Sequence, residues 1–246
     1  MKITNNKILI TGGASGIGLG LTERFVKENN TVIICGRREA ALKEVSDNIP
    51  GVIIRVCDLE VEAQREDLFK WIADDHSDLN VLVNNAGIQN WTNVANEDFY
   101  QLAKQEMTTN IEAPIHLITL FLKLKSLTTI INVTSGLSFV PFAKVPVYSA
   151  TKAFFHSFTL SLEYQLKSKN IEVIEMIPPA LNTDLGGKGL HDSAPPVSAF
   201  IDSIFEQLKD GKTTLTFGTS EARANANHRE IKAVFDAINP PQALNG

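Results

Sequence analysis

The chain has 246 residues, of which 43% are hydrophobic and 21% are charged, and this balance predicts one globular domain around a single sizeable core. Lys and Arg number 23 against 28 Asp and Glu, so the formal net charge is −5. Because the sequence contains no basic block, the charge pattern gives no support to a nucleic-acid partner. The longest uncharged stretch, 126–143, is too rich in polar residues for lipid, and the N-terminal residues lack a secretory pattern. We therefore expect a cytoplasmic protein without a membrane partner.

Short runs of β-branched residues recur at roughly thirty-residue intervals, and each predicts a buried strand. The runs begin at Lys7, Thr31, Gly51, Asn80, Thr129 and Ile171. Between the first two runs, Ile17, Leu21 and Phe25 fall on one face of a predicted helix, with charged residues largely opposite. Apolar strands that alternate with helices indicate a parallel sheet covered on both faces. We therefore predict a single doubly wound, Rossmann-type α/β domain over residues 1–246, with a central sheet of six or seven strands.

The segment 182–197 interrupts this pattern. It contains three glycines and two prolines and follows directly after the sixth predicted strand. Such a composition predicts a flexible substrate loop over a site, although an ordinary surface loop has the same composition.

The two cysteines, Cys35 and Cys57, both end apolar runs. Neither has another Cys or a His at ligand spacing, which argues against a disulfide scaffold and against zinc. We therefore predict two buried thiols and no metal site.

A glycine-rich turn follows the first predicted strand and leads into the first predicted helix. Residues 11–18 read TGGASGIG, and at such a corner the backbone N–H groups and the helix dipole face an anion. The spacing differs from the commoner G-x-G-x-x-G fingerprint, and no lysine follows as a P-loop requires. The turn therefore predicts a seat for a pyrophosphate and excludes a P-loop NTPase, although any tight strand-to-helix corner also favours glycine.

Tyr148 and Lys152 lie four residues apart at the start of a predicted helix, so both side chains point the same way. An ammonium group close to a phenol favours the phenolate, which brings the tyrosine toward the range of an acid/base group. Tyr and Lys at this spacing also occur on solvated helix faces. Ser135 and the NNAG segment 84–87 favour the catalytic alternative, because each ends a predicted strand where doubly wound sheets bind ligands. Asn110 lies within a predicted helix, where asparagine has poor propensity, which indicates a function or a kink.

Together, TGGASGIG, NNAG, Asn110, Ser135 and Tyr148-x-x-x-Lys152 resemble the short-chain dehydrogenase/reductase family in their order and spacing. The resemblance extends from Lys7 to about Thr183. It implies an NAD(P)-dependent oxidoreductase that transfers a hydride between the cofactor and a carbonyl or alcohol group. The C-terminal stretch 217–240 is in addition similar to the DltE-type short-chain reductases of bacteria.

The resemblance also implies a role for each matching residue. Tyr148 would be the general acid/base, and Lys152 would hold the nicotinamide ribose and lower the tyrosine pKa. Ser135 would bind the substrate oxygen, and Asn110 would anchor a water-linked proton path. The residues implied to contact the cofactor are Gly12, Ser15, Gly16, Ile17 and Gly18 at the diphosphate, Asp58 and Leu59 at the adenine, Asn84, Ala86 and Gly87 at the adenosine ribose, Tyr148 and Lys152 beside the nicotinamide ribose, and Pro178 and Thr183 at the carboxamide. In the last segment Pro179 stands where the family usually has glycine.

The end of the second predicted strand, Gly36-Arg37-Arg38, bears on the choice of cofactor. NAD-preferring relatives usually carry an acid in place of Gly36, which binds the ribose hydroxyls. An arginine suits a 2′-phosphate, because its guanidinium forms charge-assisted bidentate hydrogen bonds. We therefore predict that NADPH is preferred over NADH, with Arg37 or Arg38 as the phosphate ligand. The alternative is that one arginine only begins the next helix.

The loops after the fourth, fifth and sixth predicted strands indicate a mainly apolar pocket for a small-molecule carbonyl or alcohol. Its candidate residues are Gln89, Asn90, Trp91, Val140, Phe142, Val145 and Leu185, although Trp91 and Phe142 also suit ordinary packing. We predict a homodimer formed by the helices that carry Asn110 and Tyr148. An NADP-binding regulatory or scaffolding protein on the same fold is the alternative. The intact Asn-Ser-Tyr-Lys set argues against it, since a pure binder does not need a phenol that transfers protons.

Overall fold

The computed structural model describes residues 1–241 of the chain. Its strands are β1 (Lys7–Thr11), β2 (Thr31–Gly36), β3 (Ile53–Val56), β4 (Val81–Asn84), β5 (Thr129–Val133), β6 (Glu172–Ile177) and β7 (Thr214–Thr216). They form one seven-stranded sheet in the order β3-β2-β1-β4-β5-β6-β7, and every neighbouring pair is parallel. The predicted doubly wound α/β fold is therefore confirmed.

Helices connect successive strands and cover both faces of the sheet. They are α1 (Gly16–Lys27), α2 (Glu39–Asn48), α3 (Glu62–Asp75), α4 (Phe99–Met107), α5 (Ala113–Phe121), α6 (Pro146–Leu166), α7 (Val197–Lys209), α8 (Thr219–Ala224) and α9 (His228–Ile238). Between residues 1 and 241, none of the helices has both the length and the apolar character that a membrane crossing requires.

The core has two halves, because successive side chains of each strand point to opposite faces of the sheet. On one face, Ile8 and Ile10 of β1 pack with residues of α1 and α7, where the rings of Phe25 and Phe205 are 4.9 Å apart. On the other face, Leu9 packs with residues of α3, α5 and α6. Burying a large apolar side chain contributes about 1.5–3 kcal/mol, so the central strands are the best-anchored part of the fold.

The strand order reverses between β1 and β4, since β1 to β3 extend toward one edge and β4 to β7 toward the other. In doubly wound sheets ligands bind at this switch point, outside the carboxyl ends of the strands. The TGGASGIG turn follows β1, and the NNAG segment begins at the last residue of β4. The fold therefore brings both predicted motifs to the same crevice.

Asn110 lies in a π-helical segment, Thr108–Glu112, that joins α4 to α5. The sequence predicts a function or a kink at this asparagine, and the structure has a distortion of the helix there. A π-helical turn contains one residue more than an α-helical turn, and such segments are frequent at functional sites. Here the segment buries Asn110 against the loop after β4 and against α6.

Candidate active site

An elongated cavity of about 670 Å³ runs along the carboxyl ends of the strands. One end is bounded by Arg37, Arg38 and Asp58, and the other by Tyr148 and Lys152. Most residues predicted to contact the cofactor line this cavity: Gly12, Ser15, Gly16, Ile17, Arg37, Arg38, Asp58, Leu59, Ala86, Gly87, Tyr148, Lys152, Pro178 and Thr183. The volume falls in the range typical of sites for small molecules and cofactors.

The glycine-rich turn lies between these two ends. Gly12 and Gly16 have φ angles of +66° and +52°, a conformation that glycine adopts without strain. Gly18 has a different function, because a Cβ atom there would lie 2.1 Å from the Gly12 carbonyl oxygen. It lets α1 pack against the turn and does not line the cavity among the described residues. The N–H groups of the first turn of α1 have no partner within that helix, so they suit an anion.

The two arginines at the far end of the cavity have different partners. Arg37 Nη1 lies 3.3 Å from Glu60 Oε1, so this guanidinium already has a carboxylate partner. Arg38 Nη2 donates to Ser15 Oγ at 3.1 Å and thereby spans the cavity from the end of β2 to the glycine-rich turn. Glu60 has no counterpart in the sequence-based prediction, because it lies in the loop after β3 and meets Arg37 only in the folded chain.

Tyr148 and Lys152 lie side by side on the first turns of α6 and are both buried. The Lys152 ammonium donates to the Val133 carbonyl oxygen at 2.8 Å and lies 5.7 Å from the centre of the Tyr148 ring. A Cβ atom on Gly87 would come within 3.6 Å of this ammonium, so the glycine lets the loop after β4 pass close to Lys152. The structure thus brings the predicted pair together on the wall of the cavity.

Burial dominates the ionisation of both groups. Desolvation raises the pKa of the Tyr148 phenol above its usual value, against the opposite effect of the Ser135 hydroxyl, and Glu106 raises it further. Desolvation also lowers the pKa of Lys152 to about 8. The direction for Tyr148 is opposite to the one expected from the Tyr-x-x-x-Lys spacing, because loss of water disfavours the phenolate.

Asn110 joins the loop after β4 to α6. Its Oδ1 atom accepts from the Ile88 N–H at 2.9 Å, and its Nδ2 atom donates to the Ile88 carbonyl at 2.9 Å and to Thr151 Oγ1 at 3.1 Å. A small cavity of about 10 Å³ lies between Asn110, Lys152 and Asn84. Asn110 and Lys152 therefore both line this small cavity.

The structure places Asn84 differently from the implied role at the adenosine ribose. Its side chain is buried in the sheet, where Nδ2 donates to Asn132 Oδ1 at 2.9 Å, and Asn132 donates in turn to Thr159 Oγ1 at 3.0 Å. Asn84 lines the small cavity rather than the elongated one. Asn84 lies in this position because it still belongs to β4 and pairs with Asn132 of β5.

Ser135 follows β5 and begins a short 3₁₀ turn, Gly136–Ser138, by accepting from the Leu137 N–H at 3.1 Å. Of the predicted substrate-pocket residues, Gln89, Asn90 and Leu185 line the elongated cavity. Val140 and Val145 do not, because both are fully buried in the packing. Trp91 and Phe142 contact each other edge to face, with ring centres 5.6 Å apart. The apolar residues after β5 are therefore mainly packing residues, in contrast to the predicted role.

One buried ionisable residue was not anticipated from the sequence. Glu106 of α4 is only 1% exposed, and its Oε1 atom accepts from the Asn90 N–H, while Oε2 has no partner among the described residues. Desolvation raises the pKa of this carboxyl to about 7. A glutamate on a helix normally faces solvent. The one sequence signal for its burial is its position four residues before Asn110, which places both side chains on the same face.

The segment 182–197 lies over the cavity and contains no strand, and helix begins only at its last residue. Thr183 approaches the glycine-rich turn, where its Cγ2 atom would be 3.3 Å from a Cβ on Gly16. His191 of this segment is partly buried, and its Nε2 atom lies 3.1 Å from the Leu185 carbonyl oxygen. The two cysteines are free and buried, as predicted.

Comparisons of the sequence and of the structure with known proteins both point to one protein family. A family model described as short chain dehydrogenase matches residues 6–193. The chain is 40% identical over 249 residues to the uncharacterized oxidoreductase DltE of Bacillus subtilis, covering 97% of this chain and 98% of that protein. A crystal structure of a short chain dehydrogenase from Burkholderia cenocepacia in complex with NADP has a TM-score of 0.84 at 24% identity, covering 98% and 100% of the two chains. A short chain dehydrogenase/reductase from Burkholderia phymatum in complex with NAD has a TM-score of 0.81 at 18% identity and covers both chains completely.

Proposed function

The chain belongs to the short-chain dehydrogenase family and is an oxidoreductase, and we propose that it transfers a hydride between NADP(H) and a small carbonyl or alcohol substrate. One observation carries the proposal. The buried pair Tyr148 and Lys152 lies on the wall of a cavity that continues without a break to the glycine-rich turn and to two arginines. A site for proton transfer and a site for a phosphorylated cofactor thus share one cavity.

The residues of the cavity fit a nicotinamide dinucleotide. Gly12 and Gly16 leave the turn after β1 open beside the start of α1, where a diphosphate is favoured. Asp58 and Leu59 would hold the adenine, and Ala86 and Gly87 its ribose. Lys152 would hold the nicotinamide ribose. When bound, the nicotinamide supplies or accepts the hydride.

Tyr148 is proposed to give a proton to the substrate oxygen during reduction and to take it back during oxidation. The phenol must be protonated for reduction, and its burial keeps it so at neutral pH. Ser135 is proposed to donate a hydrogen bond to the same oxygen, which stabilises the negative charge that develops there. The Lys152 ammonium, held by the Val133 carbonyl, favours the phenolate at the moment the proton leaves.

Asn110 is proposed to anchor the path by which Tyr148 recovers its proton. The small cavity between Asn110, Lys152 and Asn84 has about the volume that one water needs. Because Asn110 is fixed at both polar atoms by Ile88 and Thr151, it holds this wall of the cavity in place.

A preference for NADPH over NADH is part of the proposal. Gly36 leaves the end of β2 without an acid, and both arginines line the cavity there. Arg38 is the stronger candidate for the 2′-phosphate, since Arg37 already pairs with Glu60 while Arg38 contacts only the neutral Ser15 hydroxyl among the described side chains. The regulatory or scaffolding alternative is not favoured, because Tyr148 and Lys152 line the cavity and the chain carries the complete Asn-Ser-Tyr-Lys set.

We also propose that the protein forms a homodimer through α4 and α6 and is located in the cytoplasm. Apolar side chains stand exposed on these two helices: Tyr100, Met107, Phe154, Leu160 and Tyr164. The two helices are neighbours in the fold, and exposed apolar side chains on adjacent helices suit an association surface. Two free, buried cysteines suit a reducing compartment.

The experiment that tests the activity is a panel of ketones and aldehydes, with NADPH oxidation followed by absorbance, for the wild type and Tyr148→Phe. We expect turnover to fall at least about 100-fold in the variant, the lower range for a positioned acid/base, with NADPH affinity nearly unchanged. Tyr164→Phe is the matched control, because Tyr164 lies exposed on the same helix. Equal turnover in wild type and Tyr148→Phe would refute the assignment.

A further inference from the structure

Helix α6 presents a third polar side chain on the face that carries Tyr148 and Lys152. His156 lies one helical turn beyond Lys152, so the three residues form an i, i+4, i+8 row. The first two face the elongated cavity. His156 instead faces β6 and the turn after β5, where its ring contacts Phe139 with centres 4.6 Å apart.

His156 pairs with a carboxylate inside the sheet. Its Nδ1 atom lies 2.9 Å and 3.0 Å from the two oxygens of Glu175, and Glu175 is only 4% exposed. The Oε1 atom of Glu175 also accepts from Thr134 Oγ1 at 2.6 Å. Thr134 is the residue immediately before Ser135, so a continuous chain of hydrogen bonds joins α6 to the backbone next to the substrate-binding serine.

Val133, the residue before Thr134, is also bonded to α6. Lys152 donates to the Val133 carbonyl at 2.8 Å, and the Thr134 N–H donates to Met176 of β6 at 2.8 Å. Residues 133 and 134 are therefore both held, one by Lys152 and the other by β6 and Glu175. Ser135 follows directly and leaves the sheet in an extended conformation.

Packing alone does not require a charged pair at this place. Glu175 lies between Ile174 and Met176 on β6, and a buried ion pair is often no more stabilising than apolar residues of the same volume. Removing one partner, however, leaves a buried charge without compensation, which is costly. The Glu175 hydrogen bond raises the pKa of His156, so the pair is held together in the folded protein.

We propose that His156 and Glu175 are positioning residues, which act through Thr134 to fix Ser135 relative to Tyr148. The proposal rests on the function proposed above and adds residues that touch neither substrate nor cofactor in it. A hydrogen-bond donor for a reacting oxygen must be placed within about 0.5 Å, and a displacement of about 1 Å costs on the order of 100-fold in rate. The chain of hydrogen bonds through His156, Glu175 and Thr134 supplies this constraint at the residue immediately before Ser135.

The test uses three variants of the full-length protein. Thr134→Val removes the hydroxyl that bonds Thr134, the residue before Ser135, to Glu175 but leaves the His156–Glu175 pair intact. Glu175→Gln removes the charge and keeps the shape, and the double variant combines both. Glu172→Gln is the matched control, because Glu172 lies on the same strand and is half-buried without contact to Thr134 among the described residues.

We expect kcat to fall about tenfold or more in Thr134→Val and in Glu175→Gln, with NADPH affinity within about twofold of the wild type. The double variant should be little worse than either single one, since both break the same chain. Glu172→Gln should keep wild-type kcat. Independent, multiplicative losses in the double variant would overturn the proposal, as would a loss of melting temperature with unchanged kcat.

A structural measurement separates this proposal from the proposed activity. A crystal structure of Thr134→Val should show Ser135 Oγ displaced or in two conformers relative to the wild type. An unmoved Ser135 would overturn the positioning role, whatever the activity. If the wild type and Tyr148→Phe turn over equally while Ser135 does move in Thr134→Val, the proposed reaction fails and the positioning of Ser135 stands.

Discussion

Replacing Arg38 by alanine should weaken NADPH binding more than replacing Arg37. The structure separates the two guanidinium groups by their partners. Arg37 lies 3.3 Å from the Glu60 carboxylate, whereas Arg38 contacts the neutral Ser15 hydroxyl at 3.1 Å. A 2′-phosphate that approaches this corner gains the full charge of Arg38, but it must compete with Glu60 for Arg37.

The magnitude follows from the charge and exposure of the site. A hydrogen bond to a charged group contributes about 1.5 to 3 kcal/mol, which corresponds to roughly ten- to a hundredfold in affinity. Both arginines are exposed, so water and salt reduce the effect to the lower end. We therefore expect Arg38→Ala to weaken NADPH about tenfold and Arg37→Ala about threefold, with NADH barely affected by either.

The assay is titration of NADPH and NADH by cofactor fluorescence or calorimetry at a fixed low salt concentration. Glu60→Gln is the informative third variant, because it releases Arg37 and should strengthen NADPH binding about two- to threefold. Gly36→Asp should shift the preference toward NADH, since it restores an acid at the ribose. If both arginines can be removed together without loss of NADPH affinity, or if the wild type binds NADH as tightly, the reasoning about this corner is wrong.

Three other predictions concern stability and motion. The Glu106 carboxyl has a pKa of about 7 in the folded protein, above its ordinary value, so its contribution to stability is lost as pH rises toward and through 7. Glu106→Gln should therefore raise the free energy of unfolding at pH 8 by up to about 3 kcal/mol and change it little at pH 5. Urea denaturation at the two pH values measures the difference. Gly18→Ala should destabilise the fold by about 1–3 kcal/mol, because its Cβ would meet the Gly12 carbonyl at 2.1 Å, whereas Gly36→Ala, with its nearest neighbour at 4.0 Å, should leave the melting temperature nearly unchanged. The segment 182–197 is predicted to close over the bound ligands, so its amide hydrogen exchange should slow when NADPH and a substrate are added together; protection that is already high in the protein alone would contradict this.

The strands and motifs that the sequence predicts are those whose signal is local. Runs such as 7–11 and 129–133 are apolar and β-branched because both faces of their strands are covered. The seventh strand, Thr214–Thr216, is only three residues long, too short for a periodic pattern. The glycine-rich turn and the Tyr148–Lys152 pair are also local, since each is defined by spacing within one turn or one helix.

The parts that escaped prediction depend on pairs of residues that are distant in sequence. Glu60 pairs with Arg37 across 23 residues, and no local pattern distinguishes Glu60 from the other acids of this acidic chain. Strand residues 172–177, which read EVIEMI, likewise contain no local pattern that shows which glutamate is buried. Glu172 and Glu175 are separated by an odd number of positions, so they must point to opposite faces of the sheet.

That parity has a physical consequence. One of the two glutamates must point to the face on which α6 packs, and whether it is tolerated there depends on what α6 offers. In the structure α6 offers His156, one turn beyond Lys152, which pairs with Glu175. A carboxylate in this layer would otherwise shift its pKa or destabilise the sheet. Glu175 also accepts a hydrogen bond from the Thr134 hydroxyl. The buried glutamate of β6 is therefore bonded both to α6 and to the residue that precedes Ser135. Substituting His156 therefore tests packing and geometry together, and only Thr134→Val separates them.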